Sequence, residues 1–272
     1  MKKIYLGLLS VACVGAFATW LAADTKSVQI PVTQAQPPAS NFSAGQIAEI
    51  EKLVGDYIAK HPDIVMTSIQ AGMDLQQKAE IENMEKAVAE NKAKIFNDPS
   101  SPVIGNPKGT QSLVAFLDPY CGYCRKFHGE LTTLLSKNKD VKVIIKEIPI
   151  MGDDSVLTIK ALLAAKNQGK YEQLQTAVYS SDKHLDEKQI MKAASSLGID
   201  TKKLKADMDD KAIQTEIDQT LELAKLIGVN GTPTLIVGEK TVLPGFISAE
   251  DLNKKLEESV ATDGKKEATP KL

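Results

Sequence analysis

Cys121 and Cys124 constrain this chain more than any other residues. They lie two residues apart in Asp118-Pro119-Tyr120-Cys121-Gly122-Tyr123-Cys124-Arg125-Lys126-Phe127. The apolar run Leu113-Val114-Ala115-Phe116-Leu117 precedes the pair, and Phe127, Leu131, Leu134 and Leu135 follow at helical spacing. The pair therefore sits where a strand hands over to a helix. At such a junction the unpaired N–H groups of the first helical turn, together with the positive end of the helix dipole, favour thiolate over thiol. This points to a reactive dithiol or disulfide rather than a structural staple, because closing a loop of two intervening residues removes little unfolded-state entropy.

The N-terminus sets the redox compartment. Met1-Lys2-Lys3 is followed by an apolar run from Ile4 to about Ala23, the pattern of a secretory leader over residues 1–23, with cleavage after Ala18 or Ala23. The run also approaches the ~20 residues that span a bilayer, so an uncleaved anchor is the competing reading. Cys13 sits in a poor context for lipid attachment, and removal of the leader leaves Cys121 and Cys124 as the remaining cysteines of the three. Export to the periplasm is expected, with outer-membrane association or surface exposure as further destinations. Charge and composition exclude a nucleic-acid partner: 33 basic against 35 acidic residues give a net of −2, and 5% aromatic residues offer few stacking platforms.

Residues 24–43, with Pro37-Pro38 and little apolar periodicity, read as a flexible linker. From 44 to 97 the texture is helical. Ser43 and Gln46 form a candidate capping box, Ile47, Ile50, Val54 and Tyr57 recur at helical spacing, and His61-Pro62 interrupts the pattern. A second helix is expected from Asp63 to Asn97, with Val65, Ile69, Met73, Ile81, Met84, Val88 and Ile95 along one narrow stripe. Such a seam is buried either against the chain's own catalytic domain or against a second copy of the protein, and a homodimer through residues 44–96 is the expectation carried forward.

The main domain is expected over 98–262. Val103–Gly109 is turn-rich, Leu113–Leu117 and Val141–Ile148 read as strands around a helix, and Ser155 to about Gly228 is helical in pattern. Then come Gly231-Thr232-Pro233-Thr234, a strand, a second short strand at Thr241-Val242-Leu243, a helix from Ser248 to about Val260, and a disordered tail over 263–272.

Taken together, Cys-X-X-Cys after the first strand, a helical insertion over about 153–228 after the second, and Gly-Thr-Pro-Thr before a hairpin and closing helix resemble the DsbA family of thioredoxin-fold thiol:disulfide oxidoreductases. The resemblance covers roughly Ser101 to Val260. The long helical lead-in is similar to the extended branch of that family, the ScsC-like and surface-antigen-type relatives, in which this region mediates self-association.

The resemblance implies an α/β thioredoxin fold with an inserted helical subdomain, preceded by a helical oligomerisation region. It implies that Cys121 is the exposed nucleophile, that Cys124 resolves the mixed disulfide, and that Gly122 and Tyr123 tune the pair. Thr232-Pro233 becomes the cis-proline pair, where backbone groups of Thr232 can meet a bound peptide. Threonine at that position is more like the dimeric disulfide isomerases than the monomeric oxidases.

One position departs from the pattern. Many relatives carry a buried acid six residues before the first cysteine, where this chain has Ala115; Glu147 is the candidate substitute, with pairing to Lys146 or simple exposure as the alternatives. The implied function is to form or isomerise disulfide bonds in exported, cysteine-containing proteins, with a membrane redox partner and no cofactor. A chaperone-like or copper(I)-binding surface protein with a non-catalytic dithiol is the competing reading. His128 shares a helix face with Cys124, but a structural zinc site wants four protein ligands, so no metal is assigned.

Overall fold

The computed structural model describes residues 41–181 and 183–266, with side chains as far as residue 261. The expected leader, nearly all of the linker and the end of the tail lie outside the described residues. The chain divides into two compact units, Met1–Pro62 and Asp63–Leu272.

In the first unit, α1 (Ala44–Lys60) begins at Ser43, whose hydroxyl accepts from the Gln46 N–H while Gln46 Oε1 accepts from the Ser43 N–H at 2.9 Å. This reciprocal pair satisfies donors that the first turn would otherwise leave open. None of its residues is buried, and Leu53, Val54, Tyr57 and Ile58 are at least half exposed.

In the second unit, α2 (Pro62–Glu90) and α3 (Lys92–Phe96) replace the single helix expected to run to Asn97. The break falls at Asn91, whose side chain donates to the Ala87 carbonyl at 2.9 Å and so competes with the helical ladder. The apolar stripe divides in the same region. Val88 and Ile95 are fully buried in the core, whereas Ile69 and Met73 are 51% and 59% exposed. The end of the stripe thus packs on its own domain, and the earlier part has no cover among the described residues.

The sheet contains β1 (Val103–Gly105), β2 (Gln111–Leu117), β3 (Val141–Glu147), β4 (Thr234–Val237) and β5 (Thr241–Pro244), in the order β1-β3-β2-β4-β5. β2 and β3 are parallel, joined by α4 (Gly122–Lys137); the other pairs are antiparallel. β1 lies in the stretch read from sequence as a turn-rich lead-in.

Alternation along the strands sorts two apolar layers. Leu113, Ala115 and Leu117 of β2 face a layer with Phe127 and Leu131 of α4, while Val114 and Phe116 face a layer with Val88 and Ile95. Each fully buried large apolar side chain contributes on the order of 1.5–3 kcal/mol.

Between β3 and β4 run five helices, α5 (Asp153–Lys166), α6 (Tyr171–Tyr179), α7 (Glu187–Ser196), α8 (Thr201–Met208) and α9 (Lys211–Leu226), in the place expected for the insertion. The closing helix α10 (Ala249–Lys266) is longer than expected, so residues 263–266, read from sequence as tail, are helical.

Candidate functional site

The dithiol sits at the end of β2. Cys121 is the residue that caps α4 and Cys124 falls in its first turn. Both are free thiols. Cys121 retains 9% of its surface and Cys124 none, so the first sulfur is the one a partner can reach. The Cys121 thiol donates to the Thr232 carbonyl at 3.1 Å, although 111 residues separate them in sequence, and the Thr232-Pro233 bond is cis. The Thr232 side chain also lies close enough to Cys124 to favour its thiolate, yet its hydroxyl makes no regular hydrogen bond. Burial pushes the Cys124 thiol well above its ordinary range, outweighing a backbone hydrogen bond from Asp118 and the contact with Thr232.

Strand alternation settles the orientation of Glu147. Val141, Val143 and Ile145 of β3 point into the layer that contains Cys124, and Glu147 continues that phase. Lys146 points to the other face, where its ammonium bonds Asp98 at 2.7 Å and the Lys94 carbonyl at 3.1 Å. Glu147 is therefore neither exposed nor paired with Lys146. In the register, Glu147 lies opposite Leu117, one step beyond the Ala115–Ile145 pair on the same face.

The Glu147 carboxylate is 4% exposed and accepts from Tyr171 Oη at 2.7 Å and Tyr179 Oη at 2.8 Å, with Gln175 Nε2 at 3.5 Å. Burial pushes its pKa up to about 7, with the Asp118 charge adding to the rise and the tyrosine and glutamine hydrogen bonds opposing it. Tyr179, besides holding Glu147, lies within electrostatic reach of Cys124.

Further residues complete the site. Asp118, fully buried, accepts from the N–H groups of Tyr120, Ile150 and Met151 and from Ser155 Oγ, tying the strand before the cysteines to the start of α5. The Arg125 guanidinium donates to the Pro119 and Ser181 carbonyls and lies 5.7 Å from the Tyr120 ring. His184 stacks on the opposite partner of that contact, with ring centroids 4.0 Å from Tyr120. His128 is buried beside Tyr179 with both ring nitrogens unpartnered, and desolvation holds its pKa below the ordinary value.

The structure thus brings Cys121, Cys124, Thr232, Pro233 and Glu147 to one end of the sheet. Gly122 and Tyr123 form the exposed lip: Tyr123 is 62% exposed under Lys126 Nζ, and a Cβ on Gly122 would meet open space. Among the described residues, no cluster of three or more histidine, cysteine, aspartate or glutamate side chains is arranged to hold a metal ion. The residues around Glu147 did carry a sequence signal: Tyr171, Gln175 and Tyr179 recur at intervals of four, which places them on one helix face.

Comparison with known proteins agrees with this geometry. The family described as Thioredoxin matches residues 97–258. A thioredoxin-like oxidoreductase from Silicibacter pomeroyi is 34% identical and superimposes with a TM-score of 0.60, covering 63% of this chain and 98% of its own. A linker-deletion variant of Proteus mirabilis ScsC is 27% identical with a TM-score of 0.61, covering 83% of this chain and all of its own.

Among curated relatives, the thiol:disulfide interchange protein DsbA of Bordetella parapertussis is 22% identical over 155 residues, which are 55% of this chain and 74% of that protein. A protein named as the Na(+)/H(+) antiporter NhaA of Herminiimonas arsenicoxydans is 27% identical over 164 residues; the match covers 60% of this chain but spans only 26% of that relative's length. The thioredoxin match over the domain that carries the cysteines, and the likeness to DsbA and ScsC, place the chain in the thioredoxin family, among the DsbA-type thiol:disulfide oxidoreductases.

Proposed function

We propose that this protein forms and isomerises disulfide bonds in exported proteins, with Cys121 as the attacking sulfur and Cys124 as the resolving one. The observation that carries the reading is the paired setting of the two thiols. One is accessible and bonded to the cis-proline edge at 3.1 Å; the other is sealed in the core beside a buried acid network. In oxidation, a substrate thiolate attacks Cys121 of the protein disulfide, the bond to Cys124 breaks, and Cys124 leaves as a thiolate. Glu147, whose raised pKa of about 7 keeps a large protonated share at neutral pH, is the proton donor assigned to this step. A second substrate thiolate then displaces Cys121. The substrate gains a disulfide and the protein becomes a dithiol, two electrons having moved to it.

Isomerisation starts from the dithiol. Cys121 attacks a substrate disulfide and frees one substrate sulfur as thiolate; a different substrate thiolate then attacks the mixed disulfide and displaces Cys121, so the substrate keeps a re-paired disulfide and the protein remains a dithiol. When no substrate thiolate does so, Cys124 gives its proton to Glu147 and attacks instead, releasing the substrate reduced and leaving the protein disulfide. A leader over residues 1–23 would deliver the enzyme to the periplasm, where a membrane redox partner restores the disulfide. The exposed apolar faces of α1 and the first part of α2 are assigned to self-association, most simply as a homodimer, which presents two dithiols to one misfolded substrate. Turnover of a scrambled-disulfide protein tests the reading. Activity that depends on Cys121 is expected, and equal activity of a Cys121→Ser variant would overturn it.

A further inference from the structure

A groove of about 260 Å³ continues the cis-proline edge and has α2 as its opposite wall. Gln77, Glu80 and Ile81 line it from α2, facing Asn230, Thr232 and Pro244. This wall is fixed to the domain. A Cβ added at Gly228 would meet Met84 Cγ at 3.3 Å, Glu85 Oε1 accepts from the Val242 N–H at 3.4 Å, and Val88 one turn on is fully buried. All of these residues belong to the same compact unit as the cysteines.

The position of the groove ties it to the reaction. Because the Thr232 carbonyl lies 3.1 Å from Cys121 Sγ, a peptide joined to Cys121 by a disulfide rests against the Thr232-Pro233 edge, and the groove extends that edge. Its chemistry is specific. Glu80 carries the one charge among the described residues that line it, and one of its carboxylate oxygens accepts from Gln76 at 2.9 Å, leaving the other for a ligand. Ile81, half-buried beside it, offers an apolar strip. Together they match a side chain with an aliphatic stem and a cationic head.

We propose that α2 forms a wall of the substrate site, with Glu80 and Ile81 selecting a lysine or arginine close to the reacting cysteine of the substrate. The inference rests on the disulfide-exchange reading above and adds a specificity element to it. Ile81, reached from sequence only as part of a self-association stripe, then serves substrate recognition as well.

The test uses the oxidised full-length protein and two dithiol peptides that differ only in having lysine or glutamate beside the cysteine, with reduced glutathione as a small reductant that has no lysine or arginine side chain. The lysine peptide is expected to be oxidised about threefold to fivefold faster, the size of effect an exposed ion pair supports. High salt should shrink the preference. Glu80→Gln should abolish it and Glu80→Lys should reverse it, with the glutathione rate unchanged in both. A preference that persists in Glu80→Lys would overturn the groove assignment alone. Loss of the glutathione rate in parallel would also overturn it, by showing that Glu80 acts on the dithiol. Failure of the unaltered protein to oxidise either peptide or glutathione would sink the exchange reading and this proposal with it.

Discussion

Replacing Glu147 with glutamine should change how stability depends on pH, and the structure sets both sign and size. The carboxyl is fully enclosed, and its pKa rises from an ordinary 4.5 to about 7 because burial disfavours its charged form. Between those values the folded protein holds a proton that the unfolded chain has released, so folding stability falls as pH rises through this window and levels off above it. At about 1.36 kcal/mol per pH unit the cost reaches on the order of 3 kcal/mol above neutrality. Glutamine nearly preserves the shape, can still accept from one of the two tyrosines, and never ionises. Urea unfolding of the reduced proteins at pH 4.5 and pH 8 should therefore show the variant gaining about 3 kcal/mol on the parent between the two conditions. Any loss from the altered hydrogen bonds is the same at both pH values and cancels. A difference between variant and parent that stays constant across this range would refute the assignment of Glu147 as a buried acid with a raised pKa. The same variant should resolve mixed disulfides more slowly near neutral pH, because Cys124 loses its proton acceptor.

Three further predictions concern the rest of the chain. Asp98→Asn should destabilise the protein by about 3–5 kcal/mol at neutral pH, since Lys146 is 1% exposed and would keep a buried charge without its partner. Burial alone would raise the Asp98 carboxyl, but the Lys146 and Ser100 bonds outweigh it and hold it far below the ordinary range, so its contribution is lost only in strong acid. Unfolding midpoints at pH 7 check this, and an unchanged midpoint would contradict it. Removing residues 1–75 takes away the exposed apolar faces, including Leu75 at 71% exposure, while sparing buried Val88 and Ile95. Light scattering should then report a monomer with undiminished thermal stability, and a persisting oligomer would place the interface elsewhere. Starting the chain at residue 97 instead should unfold it readily, because each buried aliphatic side chain lost costs about 2–5 kcal/mol.

Much of this architecture was legible because local signals and global fold agree. The apolar and β-branched runs of β2 and β3, the helix after the cysteines and the helical insertion all announce themselves in the sequence, and the family resemblance brought Thr232-Pro233 to Cys121. Other features were hidden for physical reasons. β1 is three residues long and gains its structure only by pairing with β3, so it has no periodicity of its own. The face of Glu147 could not be read because both faces of β3 are apolar: Val143 and Ile145 on one side, Ile144 and Ile148 on the other. Only the tertiary packing shows which side carries the cysteines. The stripe on α2 looked uniform, yet it is covered at Val88 and open at Ile69, a division that depends on where the domain surface ends.

The most direct test of the account is trapping. A Cys124→Ala variant expressed in the native host removes the sulfur that resolves the mixed disulfide while leaving Cys121 accessible beside the Thr232 carbonyl. Exported proteins disulfide-bonded to Cys121 should then accumulate and be released by reductant. If no such adducts appear, or if they persist when Cys121 is also replaced by serine, the paired roles assigned to the two thiols are wrong.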